Sequence, residues 1–300
     1  MSGNEIDFIG IGGYRCATTW ISRCLQEHPD ILFSAQKSQK ELHFFNDQII
    51  SGLYYKKNPR YAKGLKWYLK QFPKAKPGKL RGEYSVSYLP DKKAPQRIKE
   101  AFSNVKLIVS LRNPVDVLYS GFKYSRGGIL SEVDEFPSIF EKVLESNDYL
   151  DLGFYSNHLK RYFDLFPRED VFIIIYEEDI LEKPAETIQN LYRFLGVVDD
   201  VIPPTLEQRI NKSFQVKMPY LKKLGEIVYT YLGDWRIPVL NKTIFQTRFF
   251  RDLYSLINKK DSAIEAMRPE VRSKLEKFYH KDISRLENLI GRDLSCWRSD

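Results

Sequence analysis

No run of apolar residues in the 300-residue sequence is long enough to span a bilayer, which takes about 20. The opening stretch MSGNEIDFIG has no basic patch followed by an apolar one, so it does not read as a secretory signal. Cysteine is scarce. Cys16, Cys24 and Cys296 are odd in number and lack metal-ligand spacing, so neither a disulfide framework nor a zinc site is expected. Internal repeats, low-complexity tracts and convincing linkers are also missing, so residues 1–300 read as one domain. Together these absences predict a cytoplasmic protein with no membrane span. Acidic residues are absent from Lys56 to Arg81, where all ten charged side chains are basic. That run, within a net charge of +8, fits a solvated face or a surface for an acidic substrate. No recognisable nucleic-acid motif accompanies it, so a nucleic-acid partner is not expected.

What is present is an alternation of buried strands and helices. IDFIGI (6–11), VKLIVSL (105–111) and VFIIIY (171–176) are short apolar runs of the kind a central parallel sheet buries on both faces. Helices are predicted at 18–28, 115–124, 135–146, 155–165, 185–195 and 268–290, with Gly196 capping the fifth. The stretch 199–250 carries Pro203, Pro204, Pro219 and Pro238 and reads as loops and short helices over an active site. Strands alternating with helices predict a three-layer α/β/α domain with a central parallel sheet.

GIGGYRCATTW (10–20) follows the first strand and opens the first helix. Backbone N–H groups at a helix N-terminus, with the helix dipole behind them, bind oxyanions. Gly12 and Gly13 permit a tight turn, Arg15 adds a charged fork, and Thr18 and Thr19 add hydroxyls. The Gly-Lys-Ser/Thr that positions magnesium in a nucleotide triphosphatase is missing. The second strand ends in Arg112 rather than an aspartate, leaving Glu177, Glu178 and Asp179 after the third as the nearest counterpart of a Walker B carboxylate.

These residues resemble the sulfotransferases that use 3′-phosphoadenosine 5′-phosphosulfate (PAPS). The first family motif, Lys/Arg-x-Gly-Thr-Thr-Trp, is matched by Arg15-Cys16-Ala17-Thr18-Thr19-Trp20. The second, an Arg-x-Pro with a serine eight residues after the arginine, is matched by Arg112-Asn113-Pro114 through Ser120. KELHFF (40–45) is similar to the Lys-Glu-x-His-Phe-Phe of the heparan-sulfate and bacterial carbohydrate branch, and GEYSVSYL (82–89) to that branch's third block. The segments 155–180 and 191–197 also fit, so the likeness runs from residue 6 to about 197. It implies a P-loop NTPase-like fold and PAPS as co-substrate, with no metal required.

The resemblance also implies roles. Gly13, Tyr14, Arg15, Cys16, Ala17, Thr18 and Thr19 would hold the 5′-phosphosulfate, with Arg15 offsetting charge on the bridging oxygen. Arg112 and Ser120 would hold the 3′-phosphate, with Lys212 of a late basic loop. Trp20 would stack on adenine or pack in the core, and Tyr176 would lie near the adenine. Glu41 is the expected general base, His43 the rival base or its orienting partner, and Lys40 a charge near the leaving phosphate. The acceptor would be a hydroxyl or amine of a carbohydrate, an acidic one included, or of another small polar molecule.

Three departures qualify the likeness. Ala17 replaces a glycine, which is costly if its φ is positive. Tyr84 replaces a substrate-binding lysine, and Val86 a proline. A P-loop small-molecule kinase using ATP and a non-catalytic binder of acidic glycans are the alternatives.

Overall fold

The computed structural model describes residues 6–34, 41–51, 54–126, 147–208, 215–216, 259–260 and 267–298. In chain order come β1 (Phe8–Gly12), α1 (Thr18–Glu27), β2 (Ile31–Phe33), the hairpin β3 (Gln48–Ser51) and β4 (Tyr54–Lys57), then α2 (Leu65–Leu69) and β5 (Leu80–Tyr84). They are followed by α3 (Ala94–Ala101), β6 (Lys106–Leu111), α4 (Pro114–Arg126), α5 (Asn147–Asp151), α6 (Tyr155–Phe163) and β7 (Val171–Ile175). A π-helical turn at Tyr176–Glu182 leads into α7 (Pro184–Leu195), and α8 (Pro269–Ile290) is the long late helix. The predicted helix at 135–146 lies outside the described residues, as does most of 199–250.

Five strands form one parallel sheet in the order β2-β5-β1-β6-β7. Alternate side chains sort onto its two faces, as a period of two requires. Ile9, Ile11, Leu107, Val109, Leu111, Ile173 and Ile175 join one core, with Ile98, Leu118, Leu159 and Leu275 from α3, α4, α6 and α8. Phe8, Ile108 and Ile174 join the other, with Ile21 and Leu25 of α1 and Ile188 and Leu191 of α7. The expected α/β/α layering is thus present. Gly196 ends α7 in the left-handed region at φ 82°, the cap expected of it.

Two strands of this sheet escaped the sequence reading. β2 is three residues long, and β5 reads LRGEY, with two charged residues in its five. Glu83 is nevertheless fully buried and Arg81 nearly so. Strand order reverses beside β1: the chain goes first to β2 and β5 on one side, then to β6 and β7 on the other. The crevice at the carboxyl ends of strands flanking such a reversal is where open α/β sheets bind ligands.

The β1–β5 pairing leaves no room for a side chain at Gly10. Gly10 pairs with Tyr84, and a Cβ on Gly10 would stand 2.2 Å from that ring. Gly10→Ala is expected to destabilise the fold by about 1–3 kcal/mol, the usual cost of overpacking, as measured by urea unfolding.

Candidate active site

The loops after β1, β5 and β6 and the turn after β7 converge at the carboxyl edge of the sheet. After β1, the Gly13 amide donates to the Ser110 carbonyl at 2.7 Å, and a Cβ at Gly13 would meet that oxygen at 2.8 Å. Gly13 therefore lets the loop press against β6, but its N–H is committed there. The amides of the cradle therefore do not include that of Gly13. Cys16 is fully buried, its carbonyl accepting from Ser110 Oγ at 2.7 Å, and burial pushes its thiol up to about 12. Its side chain packs rather than reacts. Trp20 lies in the core under α7 and donates its indole N–H to the carbonyls of Thr205 and Leu206 at 3.2 and 3.3 Å.

Arg15 reaches across to α4. Its Nε donates to Ser120 Oγ at 3.0 Å, and its guanidinium sits 4.8 Å from the centre of the Tyr124 ring. The first loop and the serine of the second motif are thus in direct contact, although the sequence assigned them to different phosphates. Arg112 lies over Tyr176 at 4.5 Å, and its buried Nε has no hydrogen-bond partner. A buried guanidinium N–H aimed at no protein acceptor is costly unless a ligand accepts from it. This is the feature that fits an anionic donor. Lys123, one turn beyond Ser120, also lies here. Burial holds its ammonium below the usual lysine range, and repulsion from Arg112 and Arg15 adds to this. The sequence offered α4 spacing as its only hint of Lys123.

The turn carrying Arg112 is held from three sides. Its carbonyl accepts from Tyr155 Oη at 3.0 Å, and the Asn113 amide donates to Glu177 Oε1 at 3.0 Å. Asn113 Nδ2 donates to the Trp297 carbonyl at 3.0 Å, and Trp297 Nε1 donates to Glu177 Oε2 at 2.8 Å. Arg292 pairs with Glu178 and Asp179. The acidic strand end that stood in for a Walker B carboxylate is therefore taken up by structural partners. Burial holds the Glu177 carboxyl above the usual range.

After β2 the chain re-enters the described residues at Glu41. Lys40 and Lys212 lie outside them. Glu41 Oε2 is 3.1 Å from His43 Nε2 and accepts from the Val86 amide at 3.3 Å. Tyr14 connects this carboxylate to the cradle. Burial pushes its phenol up to about 12; Arg15 opposes the shift, while Tyr124 and Glu41 add to it. Phe44 and Phe45 anchor the segment, Phe44 stacking on Trp67 and Tyr68. Tyr84, at the position of the family lysine, is fully buried and donates its hydroxyl to the Gly12 carbonyl, so it braces the loop instead of facing an acceptor.

The basic run divides. Arg81 is buried, Lys79 pairs with Asp30 at 2.7 Å, and Arg60 donates to the Leu42 carbonyl at 2.6 Å. Lys56, Lys57, Lys66, Lys70, Lys74 and Lys76 remain exposed.

Among the described residues, the non-glycine residues with positive φ are Arg15 (59°), Ala17 (56°) and His43 (47°), all at this site. Ala17 thus takes the unfavourable alternative foreseen for it. Its Cβ crowds the following carbonyl, at a cost of about 1–2 kcal/mol. Ala17→Gly is expected to raise stability by up to about 1 kcal/mol, read as a higher urea midpoint at unchanged slope.

Residues 5–221 match the family described as Sulfotransferase domain. The mouse heparan sulfate glucosamine 3-O-sulfotransferase 5 is 23% identical over 95% of this chain and 72% of its own length. The human bifunctional heparan sulfate N-deacetylase/N-sulfotransferase 2 is 26% identical over 63% of this chain, which spans only 22% of that protein. The crystal structure of a sulfotransferase from Alicyclobacillus acidocaldarius superposes with a TM-score of 0.66 at 25% identity, covering 98% of this chain and 99% of that one. With the cradle, the buried unpaired Arg112 Nε and the Glu41–His43 pair at the edge of one parallel sheet, this match over most of the sequence establishes that the chain belongs to the sulfotransferase domain family.

Proposed function

We propose that this sulfotransferase moves a sulfuryl group from PAPS to a hydroxyl or amine of a glycan or small polar acceptor, with Glu41 as general base. The observation that carries this reading is the contact of Arg15 with Ser120, which draws the two anion-binding motifs into one cationic crevice beside Glu41 and His43. The acceptor oxygen or nitrogen attacks sulfur as the bond from sulfur to the 5′-phosphate oxygen breaks. Glu41 takes the acceptor's proton, and the electron pair leaves on the phosphate oxygen, where Arg15 offsets its charge. The chain's task is mainly positioning and charge neutralisation, as in phosphoryl transfer. Arg112 binds the 3′-phosphate through the guanidinium edge that has no protein acceptor. His43 keeps Glu41 oriented from 3.1 Å.

A glycan acceptor is supported by the exposed lysines on the β4–α2 segment. This segment packs on the catalytic strand of chain through Arg60, Tyr61 and Trp67. An acidic polymer lying along it would pass close to Glu41. The two heparan sulfate relatives point to the same class of acceptor.

Thermal-shift titration with 3′-phosphoadenosine 5′-phosphate (PAP), without metal, should raise Tm, since a ligand that binds only the folded state stabilises it by about 2.7 kcal/mol at 100 times its Kd. Arg112→Ala should abolish the shift. Stabilisation by ATP and magnesium but not by PAP would refute the assignment. With labelled PAPS and heparan sulfate as acceptor, Glu41→Gln should lower kcat by about 10²–10⁴-fold while PAP binding persists.

A further inference from the structure

Residues 41–46 belong to neither helix nor strand, and Leu42, His43, Phe44, Phe45 and Asn46 are buried. Their backbone polar groups must therefore find partners in side chains. The carbonyls find theirs in long cations and an amide. Arg60 serves Leu42, Asn58 serves His43 and Asn46, and Arg97 serves Phe45. The amides converge on one group. The His43 N–H donates to Ser85 Oγ at 3.0 Å, and Ser85 Oγ donates to Glu83 Oε2 at 2.6 Å. The Phe44 N–H donates to Tyr88 Oη at 2.8 Å, and Tyr88 Oη donates to Glu83 Oε1 at 2.6 Å. Tyr68 Oη reaches the same Oε1 at 3.3 Å, and the Leu42 amide also bonds to this carboxyl.

Glu83 is fully buried on the interior strand β5, with no cation among these partners. We propose that Glu83 is a positioning residue for the transfer reaction, whose carboxylate, through Ser85, Tyr88 and the Leu42 amide, fixes the backbone that aims Glu41 and His43 at the sulfuryl group. This rests on Glu41 and His43 working as proposed above. His43 supplies a second reason for such an anchor. Its φ of 47° is a conformation a non-glycine residue keeps only when its surroundings enforce it. The bond to Ser85 acts on that residue's own amide.

The groups around Glu83 give the proposal a pH signature. Every hydrogen-bonding neighbour, Ser85, Tyr88, Tyr68 and the Leu42 amide, donates to it, which favours the carboxylate. Burial and the nearby charge of Glu41 favour the acid, and burial dominates, raising its pKa to about 7. Protonated Glu83 carries a hydrogen where donors already point, so the Ser85 or Tyr88 hydroxyl must turn its own hydrogen away and the network that holds the loop rearranges. The anchored loop is therefore the form populated above neutrality. For stability the sign is opposite. The folded state holds this proton to a higher pH than the unfolded chain, so the contribution of Glu83 is full in acid and lost as pH rises through about 7.

The test compares wild type, Glu83→Gln, Ser85→Ala and Glu41→Gln by PAP thermal shift and by PAPS turnover, with heparan sulfate or water as acceptor. Glu83→Gln keeps the shape but turns one acceptor into a donor facing Ser85. It should lower kcat by about 10²-fold, as a misplacement near 1 Å does, with PAP binding unchanged. It should also remove the rise in kcat near pH 7. Ser85→Ala, which removes the link to His43 and one donor to Glu83 but leaves Tyr88 and the Leu42 amide in place, should lower kcat in the same direction. A folded Glu83→Gln with wild-type kcat and pH profile would overturn the proposal. Should Glu83→Gln fail to fold, Ser85→Ala decides: wild-type kcat overturns the proposal and reduced kcat with intact PAP binding supports it. Full activity in Glu41→Gln beside a defective Glu83→Gln would remove Glu41 as base but leave Glu83 as the anchor of the loop.

Discussion

A buried stretch of chain without regular structure must satisfy its amides and carbonyls one at a time, and the segment 41–46 does this against the centre of the sheet. The carboxyl of Glu83 joins the two. Because β5 is sandwiched between β2 and β1, anything hung from Glu83 inherits the rigidity of the parallel sheet. Glu41 and His43 are thereby placed by the same element that, through Tyr84 and its bond to Gly12, braces the loop after β1. Adjacent residues of one strand point to opposite faces, so Tyr84 and Glu83 support the two halves of the site from the two sides of the sheet.

The donor half is governed by unbalanced positive charge. Arg15, Arg112 and Lys123 crowd one crevice, and burial, with repulsion from the two arginines added, lowers the basicity of Lys123. Such a cluster is tolerated because aromatic faces, Tyr124 under Arg15 and Tyr176 under Arg112, lie against the guanidinium groups without neutralising them. The positive φ values of Arg15 and Ala17 belong to this arrangement as that of His43 belongs to the other half. Elsewhere among the described residues, positive φ values fall on glycines.

The apolar strands β1, β6 and β7 and the main helices were legible in the sequence because burial on both faces gives unbroken hydrophobic runs. β5 was not, because Arg81 and Glu83 are charged residues in a buried strand, and only tertiary partners make that affordable. The two motif arginines, Ser120, Glu41 and His43 could be found from spacing and family resemblance. Their grouping could not, and the contact of Arg15 with Ser120 comes from α4 lying against the loop after β1, where Gly121 sits beside Tyr14. Lys123 looked like one lysine among many. Trp297 gave no signal at all, and Glu177 only that of a Walker B counterpart, since their part is to hold the Arg112 turn by a backbone carbonyl and a side-chain bond across more than a hundred residues.

That last attachment orders events during synthesis. Asn113 is separated from Trp297 by 184 positions, and Arg292 and Trp297 together hold the acidic turn that in turn grips the Asn113 amide. A nascent chain that has already threaded β1, β6 and β7 still has its Arg112 turn unclamped. The turn that carries Arg112 is therefore complete only once the segment around residue 297 has been made and docked, as is the core face of the sheet that α8 covers.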